Sequence, residues 1–280
     1  MNESRRPAVA GAFYPKTEKS LKDVLDKIFA TIPKTSLLEP KFKEVFGVVS
    51  PHAGYQYSGL VAAKGFSLLK EYVPSPRRII IIGPNHQGIG SIIASTRKAY
   101  WTTPLGDVAV DVEGVKQLSS TSHLVDIDDL AHEYEHSIEV QLPFLQYIYG
   151  NTFKIIPICM MAQDKIFAEE LGSCLSETFV RGKDVLVASS DFTHYEPHES
   201  ALKKDRELIN YIEKLDVNGF YDHLFEKRVT ACGFGPIATL MTLSKKIGAL
   251  ESRLLLYMTS GEVIGEYDQV VGYASIVFGR

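Results

Sequence analysis

Arg78-Ile79-Ile80-Ile81-Ile82-Gly83-Pro84-Asn85-His86 is a β-branched run that stops at a glycine and a proline and is followed at once by a polar pair. A short apolar run bounded by turn residues reads as a strand covered on both faces, as in a parallel sheet. The same design occurs twice more. Val45-Phe46-Gly47-Val48-Val49-Ser50 runs into Pro51-His52-Ala53-Gly54-Tyr55, and Val185-Leu186-Val187-Ala188-Ser189-Ser190 runs into Asp191-Phe192-Thr193-His194. In open α/β sheets the functional crevice lies beyond the carboxyl ends of the strands. The three runs therefore predict that His52, His86, Asp191 and His194 meet at one sheet edge, although they are distant in sequence.

Between these runs the pattern changes to helical spacing. Leu21, Val24, Leu25, Ile28, Phe29 and Ile32 share one face and predict a helix over Lys19 to Ile32. A second helix is expected from Ser58 to about Tyr72, and another near Ser137 to Tyr149, where Pro143 demands a kink or a later start. Ile92 to Asp111 reads as β-structure with a turn at Pro104-Leu105-Gly106, and Phe153 to Met160 as a strand. Phe167, Leu171, Leu175 and Phe179 mark a helix. Two more helices fit Ser200 to Lys227, one begins near Pro236, and Leu254 to Met258 and Val270 to Phe278 read as closing strands. Alternating strands and helices predict an α/β fold, with a mainly parallel or mixed central sheet flanked by helices. Residues 1–280 are expected to form a single domain, the stretch 32–40 being its loosest part.

Bulk properties remove several function classes. The 34 acidic and 30 basic residues leave a formal charge of −4, so no basic stripe favours nucleic acid. No apolar run approaches the roughly 18 residues that span a bilayer. Met1-Asn2-Glu3-Ser4-Arg5-Arg6 has no apolar segment of a secretory signal. Cys159, Cys174 and Cys232 form no disulfide framework. The expectation is a cytoplasmic protein with reduced thiols.

Each candidate residue has a plain reading beside its functional one. A histidine at a strand end is often only a polar loop residue, but His52 and His86 after neighbouring strands reinforce each other. Asp191 either caps a helix or orients His194, three residues on. Cys232, in Thr230-Ala231-Cys232-Gly233-Phe234-Gly235-Pro236, lies just before an expected helix start, where the macrodipole favours thiolate. Cys159 and Cys174 read as small buried hydrophobes. His132-Glu133-Tyr134-Glu135-His136 matches H-E-x-x-H. A zinc hydrolase would need this stretch inside one helix, whereas its acidic surroundings suggest a loop. Glu135, His136 and Glu139 can instead support the site from behind or reach its rim.

Six ordered blocks resemble the Memo family. They are Arg6-Pro7-Ala8-Val9-Ala10-Gly11-Ala12-Phe13-Tyr14-Pro15, Pro51-His52-Ala53-Gly54-Tyr55-Gln56-Tyr57-Ser58-Gly59, Gly83-Pro84-Asn85-His86, Glu135-His136-Ser137-Ile138-Glu139, Ser189-Ser190-Asp191-Phe192-Thr193-His194, and Cys232-Gly233 with Pro236-Ile237. The resemblance implies a fold similar to class III extradiol dioxygenases, whose iron(II) is held by two histidines and a carboxylate. In the family the matching pocket has two histidines and a cysteine, here His52, His86 and Cys232. It further implies that Asp191 and His194 line the pocket, with His194 in the place of the acid/base histidine, and that Phe13 and Tyr57 are its aromatic positions. In microbes the family is associated with a radical-SAM partner protein.

A thiolate in place of a carboxylate softens such a site toward copper(I), zinc or thiolate-ligated iron. The expectation is a mononuclear metal, iron(II) first and copper or zinc next. It would serve redox chemistry on a small substrate, with His194 and Asp191 as proton-handling groups and Phe13, Tyr57, Glu135 and His136 around the substrate. The rival reading is a non-enzymatic module that binds a peptide or small ligand on the same fold.

Overall fold

In a computed structural model, which describes residues 3–32, 41–249 and 251–280, the isoleucine run is a strand with every residue buried. In chain order the elements begin with β1 (Ser4–Arg5), α1 (Glu18–Ala30), β2 (Val45–Ser50), α2 (Tyr55–Tyr72) and β3 (Arg78–Pro84). Next come β4 (Ile93–Ser95), β5 (Tyr100–Thr103), β6 (Gly106–Val110), α3 (Val112–Ser122), β7 (Asp126–Ile127) and the one-turn α4 (Leu130–Glu133). A 3-10 turn at Glu139–Gln141 leads to α5 (Leu142–Tyr149), β8 (Lys154–Met160), α6 (Lys165–Thr178) and β9 (Asp184–Ser189). Then follow β10 (His194–Glu196), α7 (His198–Glu213), α8 (Val217–Glu226), α9 (Phe234–Lys246), β11 (Glu251–Thr259), α10 (Ser260–Ile264) and β12 (Val270–Gly279).

The fold is α/β, built on one mixed sheet. Its strands run β1-β5-β6-β8-β3-β9-β2-β12-β10, with β11 beside β12 and β4 and β7 attached at β8. The centre from β6 to β2 is parallel, and β12 returns antiparallel to β2. Register fixes where the strands end. Ile82 pairs with Ala188, and Val49 with the same Ala188, so β3, β9 and β2 finish level. Parallel strands that finish level send their following residues out of the same edge, which is what brings the three sequence runs together.

Alternation on β2 sets the two helical layers. A Cβ on Gly47 would lie 2.8 Å from Leu240 of α9, while the next residue, Val48, approaches Gly65 of α2. Successive strand residues point to opposite faces, so α9 and α2 cover opposite faces of the sheet. Gly47 is small of necessity, since that Cβ would also sit 2.2 Å from the Leu186 carbonyl.

The expected elements are found with small shifts of their ends. Pro143 starts α5 rather than kinking it, sitting in the first turn where its missing N–H costs nothing. α2 begins at Tyr55, three residues before the expected Ser58. The short β1, β7 and β10 carried no periodic signal, and α3 was not anticipated. The expected loose stretch 32–40 lies outside the described residues except for Ile32, which is buried.

Candidate metal centre

Three strand exits and one loop build the site. His52 stands two residues beyond β2 and is 2% exposed. Its backbone N–H donates to Asp191 Oδ1 at 2.8 Å, which ties the β2 exit to the β9 exit. His86 follows β3 at the solvent rim. Its ring centre is 5.1 Å from that of His52 and 4.6 Å from that of His136, with which it stacks at 25°. One ligand atom from each of His52, His86 and His136 lies within 4.8 Å of the other two. The sequence leaves His136 behind the site, at its rim or beside the substrate; in the structure its ring belongs to this cluster.

Glu135 organises the loop. Its Oε2 accepts from His86 N–H at 2.6 Å, and its Oε1 accepts from His86 Nδ1 at 3.0 Å and from the backbone N–H groups of His136 and Ser137 at 2.8 Å each. Burial alone would push this carboxyl up, but the bond from His86 and the nearby imidazoles hold it down at about 2. A carboxylate bonded to the Nδ1–H of a histidine fixes the tautomer that offers Nε2 to a metal. Burial lowers His136 to about 4 against the pull of Glu135, and burial with the charges of His136, His86 and His194 holds His52 well below the usual histidine range. Both imidazoles are therefore neutral lone-pair donors at physiological pH.

Cys232 completes the ring of donors. Its Sγ is 3.2 Å from His52 Nε2 and accepts from Asp191 N–H at 3.3 Å. It precedes α9, with Gly233 at the cap position. A Cβ on Gly233 would lie 2.2 Å from the Ser189 carbonyl, so only glycine lets this turn press against the end of β9. The helix start does not make a thiolate here. Burial, then the Asp191 carboxylate, pushes the thiol upward against the hydrogen bonds that would lower it. A bound cation would reverse that balance. Three imidazoles and a thiol within reach are a donor set that suits zinc, copper or iron, so the residues fit the implied metal.

Two contacts differ from expectation. Asp191 caps no helix, because the chain runs from it into β10. It is buried, and burial raises its carboxyl to about 6 against the hydrogen bond from His52 N–H. Nor does it orient His194. His194 Nδ1 donates to the Thr230 carbonyl at 2.9 Å, and its N–H donates to Thr230 Oγ1 at 2.7 Å. The carbonyl does what the carboxylate was expected to do.

The zinc-hydrolase reading is overturned. α4 ends at Glu133, so His132 and His136 share no helical face. The His132 ring packs against Trp101 at 5.5 Å, and burial lowers it to about 4. His136 turns the other way and meets the Phe13 ring at 4.7 Å. Phe13 and Tyr57 wall a mostly apolar, open cavity of about 600 Å³, lined also by Tyr14, Ile28, Leu60 and Met258. Sequence reasoning missed Ser189 Oγ, Gln141, Thr230 and Tyr273 as site neighbours. The first two lie within or beside quoted blocks, but nothing in a lone sequence marks a serine or glutamine as buried.

An α/β sheet whose parallel strand ends gather three histidines and a cysteine defines the class of protein. The chain belongs to the Memo family: the family described as Memo-like protein matches residues 5–277. A MEMO1 family protein of Methanosarcina acetivorans is 47% identical over 277 residues, covering 98% of this chain and 99% of the relative. Those of Methanopyrus kandleri and Nitrosopumilus maritimus are 44% and 41% identical, with 98–99% of each chain covered. The crystal structure of an uncharacterized protein from Escherichia coli K12 aligns with a TM-score of 0.56 at 12% identity, covering 84% of this chain and all of that one, a likeness of fold alone. No helix among the described residues is long and apolar enough to cross a membrane.

Proposed function

We propose that the protein holds one mononuclear metal ion and uses it in redox chemistry on a small substrate. The observation that carries this is the meeting of His52, His86 and His136, with ligand atoms within 4.8 Å of one another, beside a thiol 3.2 Å from His52 Nε2. His52, His86 and Cys232 are the proposed ligands that the family resemblance implies, and His136 is a fourth donor or an alternative third. Iron(II) is the favoured ion, with copper or zinc the alternatives that the softer thiol allows. When bound, such a metal supplies a Lewis-acidic and redox-active centre for oxygen or an oxygenated substrate.

The chain's own residues have separable parts in this reading. His194 spends its Nδ1 proton on Thr230, so Nε2 is the atom that takes or returns a proton. Asp191, raised to about 6 by burial, exchanges a proton closer to neutrality than an ordinary carboxyl and positions the His52 backbone. Phe13 links the centre to the apolar cavity, because its ring touches His136 on one side and walls that cavity with Tyr57 on the other. Mostly apolar lining with few polar groups is the usual build of a small-molecule site, which supports a substrate with an apolar body. Glu135 acts from behind His86. The reading takes residues 1–280 as one cytoplasmic domain, working with the radical-SAM partner that the family resemblance implies.

Anaerobic purification with reduced thiols, followed by elemental analysis, tests it. Near-stoichiometric iron or copper that disappears in His52→Ala/Cys232→Ser supports the centre. No metal in either protein, and none taken up on reconstitution, transfers the pocket to a ligand-binding role. In that case partner or ligand binding would be the same with and without chelator.

A further inference from the structure

One hydroxyl proton decides which nitrogen His52 can offer. Ser189, the last residue of β9, is fully buried and has three polar neighbours around its Oγ. They are the Ser137 carbonyl at 2.6 Å, Gln141 Nε2 at 2.8 Å and His52 Nδ1 at 2.8 Å. A serine hydroxyl has one proton to donate and two lone pairs to accept with. The carbonyl of Ser137 can only accept, so the proton goes there. Gln141 Nε2 also donates to the Pro51 carbonyl at 2.9 Å. A flipped amide would set its oxygen against that carbonyl, so the glutamine faces Ser189 as a donor. One lone pair of Ser189 is thereby used. The other is left for His52 Nδ1, which can approach it only as N–H.

We propose that Ser189 is a positioning residue: by giving its only proton to Ser137 it holds His52 as the Nδ1–H tautomer, with the Nε2 lone pair directed to Cys232 and the metal. The use of that lone pair by a metal rests on the function proposed above; the tautomer does not. The device also explains why one loop controls two histidines. Glu135 takes the Nδ1–H of His86, and two residues later the Ser137 carbonyl takes the Ser189 proton that settles His52. The loop can sit this close because residue 83 is glycine, where a Cβ would lie 2.3 Å from Ser137 Oγ.

Long-range proton–nitrogen correlation spectra of the metal-free protein, labelled with nitrogen-15 histidine, read the tautomer directly. The expected spectrum has His52 protonated at Nδ1 and bare at Nε2. Ser189→Ala should move it toward the Nε2–H form and weaken zinc(II) binding about 10–100-fold, the range for loss of a partner behind a metal ligand. Ser189→Thr, which keeps the hydroxyl, should restore both. Nε2–H in the parent protein, or an unchanged tautomer in folded Ser189→Ala, overturns the proposal. Should Ser189→Ala fail to fold, the parent spectrum decides alone. A parent spectrum as expected with no zinc bound would sink the metal reading and leave the tautomer lock standing.

Discussion

β3 and β9 carry buried polar groups at both ends, and the two ends are built for different purposes. Where the strands begin, the Asp184 carboxylate accepts from Arg77 at 3.0 and 2.7 Å, from Arg78 at 2.7 Å and from Val180 N–H at 3.0 Å. Its capacity is spent within the chain. Where the strands end, His52, His86 and His194 commit Nδ1 to Ser189, Glu135 and Thr230. Their other nitrogens have no acceptor or donor among the described residues, save the contact of His52 Nε2 with the Cys232 thiol. A buried carboxylate whose lone pairs are all taken by the chain fastens the sheet. A cluster that orients its donors and then leaves lone pairs unspent is prepared for something from outside.

The largest effect should come from breaking the saturated end. Asp184→Ala leaves the buried Arg78 guanidinium with only the more distant Asp111 carboxylate, 3.6 Å away, and removing one partner of a buried pair costs about 3–5 kcal/mol. Urea denaturation should show that loss, while zinc(II) affinity of the folded protein stays that of the parent. A parallel fall in affinity would mean the two ends are one unit and would undo the comparison.

Asp205 of α7 offers a pH test of a third, intermediate case. Its carboxylate accepts from Thr193 N–H and Oγ1 and from Tyr257 OH, yet burial outweighs these bonds and raises it to about 6. A raised carboxyl binds its proton more tightly in the folded state. Its contribution to stability is therefore full below about pH 4 and is lost as pH rises through about 6, a swing of at most about 3 kcal/mol. Asp205→Asn should remove that dependence, so its stability relative to the parent should improve between pH 4 and pH 7. An equal pH profile for the two proteins would show that Asp205 is ordinary and that its hydrogen bonds, not its burial, prevail.

At the open end, Glu135→Gln keeps the size of the side chain but puts an amide where four N–H groups expect a carboxylate. Metal affinity should fall about 10–100-fold, or about 1.4–2.7 kcal/mol, and titration with zinc(II) against a chromophoric chelator measures it. An unchanged affinity would mean that the His86 ring is held by packing against His136 rather than by its hydrogen bond.

The ease of reading this chain follows the same division. The three site strands were legible because β-branched runs covered on both faces leave an unbroken apolar signature, and their level ends follow from parallel pairing. His52 and His86 were found for that reason. His136 stays unplaced relative to the other ligands in the sequence because its only local signal, the H-E-x-x-H spacing, suggests the wrong geometry. Its place in the cluster depends on a loop that Glu135 folds by accepting its own backbone N–H groups. The position of Cys232 before α9 was legible, but its burial and the nearby Asp191 carboxylate, which push the thiol up, are tertiary facts. The Ser189–Gln141 web had no sequence signal at all, since proton direction in a buried network exists only once three segments are packed together.

The smallest predicted effect separates two histidines that the sequence had paired. The His132 ring is buried beside Trp101, where its polar contact is with the Ala94 backbone and not with the centre. An uncharged ring of similar shape keeps that packing and loses only the backbone bond. His132→Phe should leave zinc(II) affinity unchanged and change stability by no more than about 1 kcal/mol. His136→Phe, four residues on, should keep the fold, since its ring already packs on Phe13, but should weaken metal binding. Equal losses of metal in the two variants would put His132 back into the site and contradict the division between its two neighbouring histidines.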